Sequence, residues 1–204
     1  MLRFSSVSYR AGNETILDNL SFHLPRGSVC FATGTGSSGK TTLIRLASCQ
    51  IHPSSGLIYT AGLPLFRYNG PSYGLRRKIS VASPESILFE QFTVLENLRL
   101  QLSLSVANKE TINAIIELFE LKPILNRQIA FLSAYQKGRV IIASSLMKKP
   151  SIIFIDDVSY FFNYKNLQKL YHKIAYLSGQ GLTALFTADK LPEFASESIE
   201  VHIR

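Results

Sequence analysis

The residues of this chain best equipped for chemistry lie at positions 34–42, Gly-Thr-Gly-Ser-Ser-Gly-Lys-Thr-Thr. They fit the spacing G-x-x-x-x-G-K-[S/T], in which each residue type has a task at a phosphate. Gly34 and Gly39 admit backbone angles that turn successive N–H groups inward around an anion. Thr35, Gly36, Ser37 and Ser38 complete that cradle. Lys40 can reach terminal phosphates as a point charge. Thr41 offers a hydroxyl to a magnesium ion, and Thr42 continues the helix whose positive end faces the same anion. A second group follows at 152–157, Ile-Ile-Phe-Ile-Asp156-Asp157. At the end of a buried strand, Asp156 would hold the metal through water and Asp157 would orient an attacking water. Together the two groups predict a site for ATP and Mg2+.

The flanking elements suit that task. Residues 28–33 form a short apolar run of strand type, and 41–49 carry helical spacing with Leu43, Ile44, Leu46 and Ala47 on one face. Strand, glycine loop and helix is the order that a phosphate cradle needs. Upstream, 2–9 and 16–24 read as strands joined by a turn at Gly12-Asn13. Downstream, 57–60 and 79–82 read as short strands, and 94–103, 110–121, 139–147 and 167–177 as helices. The continuous apolar run 151–155 is expected of a central parallel strand buried on both faces. Residues 181–186 read as a further strand. This alternation predicts an α/β fold of the P-loop NTPase type. It would have a mostly parallel core sheet, an N-terminal antiparallel β subdomain and a helical insertion at about 94–133, in one domain over 1–204.

Bulk properties narrow the class. Of 204 residues, 46% are hydrophobic and 18% charged, which describes a globular chain and excludes disorder. A net charge of +8 suits an acidic partner such as lipid headgroups, nucleotides or nucleic acid, but equally a solvated basic surface. No apolar run approaches the ~20 residues of a membrane span, and the first residues lack a signal-peptide core. The expected location is therefore cytoplasmic, with membrane attachment only through a partner. Cys30 and Cys49 read as small buried hydrophobes. The four histidines have no metal-ligand spacing, and no nucleic-acid motif or serine-hydrolase elbow is present. The cluster 160–164, Tyr-Phe-Phe-Asn-Tyr, reads as core packing rather than a partner contact.

In order and spacing the chain resembles the ATP-binding subunits of ABC transporters over nearly its whole length. Residues 7–27 look like that family's opening hairpin, Leu132-Ser133 sits where its L-S-G-G-Q signature begins, and the gap to Asp156 matches. Leu24-Pro-Arg-Gly27 and Leu75-Arg-Arg77 look most like the cell-division ATP-binding protein FtsE. The ATP-binding subunit of a haem or lipoprotein exporter is the alternative. The resemblance implies a homodimer or heterodimer working beneath an integral membrane permease-like subunit, similar to FtsX, at the inner face of the membrane. It also implies Lys40 and Asp157 as catalytic groups, Thr41 and Asp156 at the metal, and residues 34–42 at the phosphates. The adenine-stacking aromatic falls at Ala11, with Tyr9 two residues earlier as its substitute.

The departures from the family pattern are several. The water-polarising glutamate is Asp157, and the signature reads Leu132-Ser-Ala-Tyr-Gln136, where Tyr135 is expected to obstruct close backbone contact. The metal-sensing glutamine falls at Pro84, with Gln91 out of register. The switch histidine falls at Asp189 by ungapped counting, and the inter-subunit acid falls at Asn163. These changes predict nucleotide binding with weak hydrolysis, or a nucleotide-binding module without turnover.

Overall fold

Strand β1 (Leu2–Ala11) alternates buried and exposed side chains, with Leu2, Phe4 and Val7 turned inward, as a half-covered sheet requires. It pairs antiparallel with β2 (Glu14–Leu24), Leu2 opposite Leu24 and Ala11 opposite Glu14. Gly12 makes the turn at φ 60. The computed structural model describes residues 1–67, 70, 71, 73–103, 109–196 and 198–203. Strand β3 (Val29–Thr33) leads into helix α1 (Lys40–Ala47). Strands β4 (Ser55–Thr60) and β5 (Leu63–Pro64) extend the first sheet in the order β2-β1-β4-β5. A two-stranded ribbon, β6 (Phe66–Arg67) with β7 (Gly70–Pro71), and the single turn α2 (Tyr73–Arg76) connect to β8 (Ile79–Ala82).

Helices α3 (Val94–Ser103), α4 (Lys109–Leu118) and α5 (Ala134–Leu146) precede β9 (Ile152–Ile155). Helix α6 (Tyr164–Gly179), β10 (Thr183–Ala188) and β11 (Ile199–His202) follow. The second sheet is parallel throughout, in the order β11-β3-β10-β9-β8. Its strands feed two cores by simple alternation. Phe31, Ile153 and Ile155 pack against α3 to α6 on one face. Cys30, Ala32, Ile152 and Phe154 pack on the other, against α1 and the antiparallel sheet. The sheet is thus covered on both sides, and its continuous apolar strands need no polar face.

The architecture matches the expected class: parallel core, antiparallel N-terminal sheet and helices inserted between β8 and α5. The differences are local. Helix α5 begins at Ala134, five residues before the periodic apolar run, because Ser133 and Gln136 form a capping box. Helix α6 begins at Tyr164 because the Asn163 side chain accepts the Asn166 N–H at 3.0 Å. Strand β11 escaped prediction, being four residues with one apolar pair and no turn signal before it. Both cysteines are buried and free. Among the described residues, no helix is long and apolar enough to cross a membrane.

Candidate nucleotide-binding site

Residues 34–39 leave the sheet at the C-terminal end of β3 and re-enter as α1. A side chain at Gly34 would collide with Ser38 Oγ and the Ile203 carbonyl. Gly39 has φ +94 and lies against Leu17 and Ile16, with Leu17 Cδ2 only 2.8 Å from where a Cβ would stand. Gly34 is therefore required by space, and Gly39 by space as well as by angle; the φ of Gly34 is not left-handed. Ser37 also adopts a left-handed conformation, φ 64. Thr35 and Gly36 form the exposed crest of the loop. No side chain caps α1, so its first-turn N–H groups, which include those of Thr41 and Thr42, remain directed at the loop.

The lysine is already engaged. Lys40 Nζ donates to Gly34 O at 2.5 Å, to Thr35 O at 2.8 Å and to Asp189 Oδ1 at 3.1 Å. An ammonium has three N–H bonds, and all three are occupied. Asp189, immediately after β10, is 81% exposed along its side chain, whereas that of Lys40 is 15% exposed.

The paired acids stand at the end of β9. Asp156 is 6% exposed and donates its N–H to Ala82 O at 2.8 Å. Thr187 Oγ1 donates to Asp156 Oδ1 at 2.7 Å and accepts the Asp157 N–H at 2.9 Å. Asp157 is exposed with φ 49, and its Oδ1 accepts from Ser159 Oγ at 3.0 Å. Thr41, Asp156, Asp157, Gln50 and Pro84 line one cleft of about 150 Å3. The hydroxyl and carboxylate expected at a metal and the carboxylate expected to orient water are therefore brought together. Gln91 does not line this cleft.

These donors fit magnesium. Thr41 and Asp156 are hard oxygen ligands, and magnesium is commonly held by one or two protein oxygens together with water and phosphate. Among the described residues no group of three His, Cys, Asp or Glu forms a self-sufficient metal cage. Within the loop, the Ser38 hydroxyl is buried without a hydrogen-bond partner, which suits a site whose polar groups await an anion.

The remaining predicted residues are placed as follows. Tyr9 is half-buried on β1 opposite Leu17, whose side chain reaches Gly39. Tyr9 and Ile16 both pack against the second core, and Ile16 Cγ2 lies 3.2 Å from where a Cβ on Gly39 would stand. Tyr135 is the fourth residue of the segment Leu132-Ser-Ala-Tyr-Gln136. Its ring lies edge-on to Phe162 at 5.6 Å and beneath the Arg139 guanidinium at 4.8 Å. Spacing could not show which way that ring turns. Phe162 is buried and Phe161 packs on Gly138, whereas Tyr160 is 67% exposed. The aromatic run is thus core in part only. Sequence reasoning missed Thr187, Ser159 and the Ile16–Leu17 wall. Thr187 carries no local signal, since it lies within the apolar run of β10.

Comparison with known proteins agrees with this geometry. The family described as ABC transporter matches residues 17–159. The methionine import ATP-binding protein MetN of Pasteurella multocida is 34% identical over 150 residues, 71% of this chain and 44% of that protein. The daunorubicin resistance ATP-binding protein DrrA3 of Streptomyces coeruleorubidus is 27% identical over 90% of this chain and 58% of its own length. The chain thus spans less than two thirds of these relatives. A dimeric ATP-binding cassette solved in a post-hydrolysis state with ADP and phosphate superposes at TM-score 0.84. It has 23% identity and covers all of this chain and 94% of that one. A structure described as the ATP-binding subunit of an ABC transporter gives TM-score 0.85 at 21% identity, covering all of this chain and 86% of its own. On the family match and the identity to MetN, the chain belongs to the ABC transporter family, among its ATP-binding domains.

Proposed function

We propose that this chain is the ATP-binding subunit of an ABC-type membrane complex, that it binds Mg-ATP at residues 34–42, and that it hydrolyses ATP weakly. The observation that carries the proposal is the convergence of Thr41, Asp156 and Asp157 on one cleft, beside the helix that the glycine loop starts, at the C-terminal edge of a parallel sheet. Loop N–H groups and Lys40 would bind the phosphates, and Thr41 and Asp156 would hold magnesium, which neutralises phosphate charge when bound. Tyr9 and Ile16 would border the base. Asp157 would orient water, and its short side chain, further held by Ser159, reaches less far than a glutamate would. A displacement near 1 Å can cost about 100-fold. Weak turnover is further supported by Asp189, which sets a carboxylate on the lysine, and by Pro84, which brings no amide to the cleft.

The partner would be an integral membrane permease-like subunit, and the active unit a homodimer or heterodimer at the inner face of the membrane. A groove of about 270 Å3 lined by Ser80, Ile87, Gln101, Ser144 and Lys148 suits such docking. The Ser80 and Ser144 hydroxyls are buried there without partners, and Ile87 is 78% exposed at its rim. Residues 24–27 and 75–77 favour an FtsE-like cell-division role with an FtsX-like partner. The names of the relatives favour a transport role instead. Removing the chain from its host separates the two: filamentous cells support division, and lost uptake or export with normal septation supports transport.

Isothermal titration of Mg-ATP into wild type and Lys40→Ala tests the site. Binding that Lys40→Ala abolishes is expected. No binding to wild type, or equal binding to both, would sink the proposal. Fast turnover that Asp157→Asn removes would refute weak hydrolysis alone.

A further inference from the structure

We propose that Thr187 is a positioning residue that sets the metal-facing carboxylate of Asp156 and the backbone of Asp157 with one hydroxyl. The inference rests on the Mg-ATP site proposed above. Thr187 is 3% exposed on β10, in register with Ala32 of β3, two residues before the glycine loop. Its neighbour Phe186 is in register with Ile155, the residue before Asp156. The hydroxyl therefore sits where the acid-bearing strand and the loop-bearing strand flank the same central strand.

The direction of each hydrogen bond is fixed by chemistry. A backbone N–H only donates, so the Asp157 N–H must give its proton to Thr187 Oγ1 at 2.9 Å. An ionised carboxylate only accepts, so the Thr187 proton must go to Asp156 Oδ1 at 2.7 Å. With both bonds made, the hydroxyl has no free rotor. It engages Oδ1 of Asp156 and leaves the other oxygen for the cleft that Thr41 shares. It also satisfies the amide of Asp157, whose left-handed φ of 49 carries backbone strain. One side chain thus holds the metal ligand in one rotamer and aims the water-orienting residue.

The test compares Thr187→Val, which keeps shape and removes the hydroxyl, with Thr187→Ser, which keeps the hydroxyl. The readout is the Mg2+ concentration that half-saturates the enhancement of ATP binding, measured with a fluorescent ATP analogue, beside binding in EDTA. Groups that orient metal ligands typically account for about 10–100-fold in metal affinity. Thr187→Val is expected to raise the Mg2+ midpoint about ten-fold, to leave metal-free binding within two-fold and to be rescued by Thr187→Ser. A merely structural role would instead lower both bindings together. If Thr187→Val does not fold, Thr187→Ala against Thr187→Ser gives the same comparison, because both lack the methyl. An unchanged Mg2+ midpoint, or failure of serine to rescue, overturns the inference. Failure of the wild type itself to bind Mg-ATP overturns the proposed function instead.

Discussion

Replacing Asp189 by Asn should strengthen ATP binding, because Asp189 now competes with the terminal phosphate for Lys40. The ion pair is 3.1 Å long, but the Asp189 side chain is 81% exposed. An exposed pair of this kind contributes about 0.2–1 kcal/mol after screening, so its loss frees the lysine by up to about five-fold. A carboxylate about 4 Å from a phosphate charge in water adds a repulsion of about 1 kcal/mol. Together the two effects predict that Asp189→Asn binds Mg-ATP about ten-fold more tightly. Mg-ADP, without the γ-phosphate, should gain about two-fold. Both gains should shrink in 0.5 M salt, where the Debye length is only about 4 Å. Isothermal titration of each nucleotide at low and high salt measures this, and a thermal melt checks that the fold is unchanged. Equal gains for ATP and ADP would refute the argument, as would weaker binding by Asp189→Asn or gains that salt does not alter.

Three further outcomes concern stability. Gly138→Ala gains about 1 kcal/mol of helix propensity. Its Cβ would nonetheless stand 2.6 Å from Phe161 Cβ and 2.9 Å from Phe162 Cε2, and overpacking of that kind costs about 1–3 kcal/mol. Net destabilisation in urea is expected, and a stabilised variant would show that the 161–162 turn yields freely. Asn163→Ala should lose about 1 kcal/mol with the α6 cap, whereas Asn163→Asp should lose only a few tenths. Equal loss in both would mean that the side-chain bond to the Asn166 N–H contributes nothing. Hydrogen bonding and charge from Lys173, with a smaller effect from Arg139, hold the Glu120 carboxyl below its ordinary value. Its contribution is present above the unfolded carboxylate pKa and is lost as pH falls through the lower folded one. With Glu120 68% exposed, Glu120→Gln should reduce stability at neutral pH by under about 1 kcal/mol and lose the difference in acid. A gap between the two proteins that persists in acid would contradict this.

The sequence displayed the loop and the acids because their signals are local. A glycine spacing is readable within nine residues, and an apolar run ending in Asp156-Asp157 within six. The contacts that tune them are not local. Lys40 and Asp189 are 149 positions apart, and Thr187 meets Asp156 across 31. Nothing near Thr187 marks its hydroxyl, since a threonine in a buried strand is ordinary. Helix starts were misread for a related reason: apolar periodicity begins only where the helix meets the core. In α5 the capping box at Ser133 and Gln136 lies earlier, outside that periodic stretch.

The altered positions have something in common that their individual identities conceal. Ser133 and Gln136, which survive from the signature, bond to each other's backbone N–H groups and start α5. Asn163, standing where an acid was expected, caps the start of α6 by accepting the Asn166 N–H. Tyr135, in place of glycine, is absorbed by Phe162 and by Arg139, one helical turn along its own face. Each of these positions now performs a folding task that needs no second subunit. The groups left for a ligand under the proposed function are the glycine loop and, around one cleft, Thr41, Asp156 and Asp157. Under the proposed function, binding of one nucleotide would therefore need only this chain. Efficient closure over that nucleotide would need the L-S-G-G-Q segment from elsewhere, which favours a heterodimer with a better-equipped ATP-binding partner over a symmetric pair. Titrating the purified chain with ATP while following its mass by light scattering tests this. A chain that stays monomeric when saturated is the expected result, and a stable ATP-dependent homodimer would contradict it.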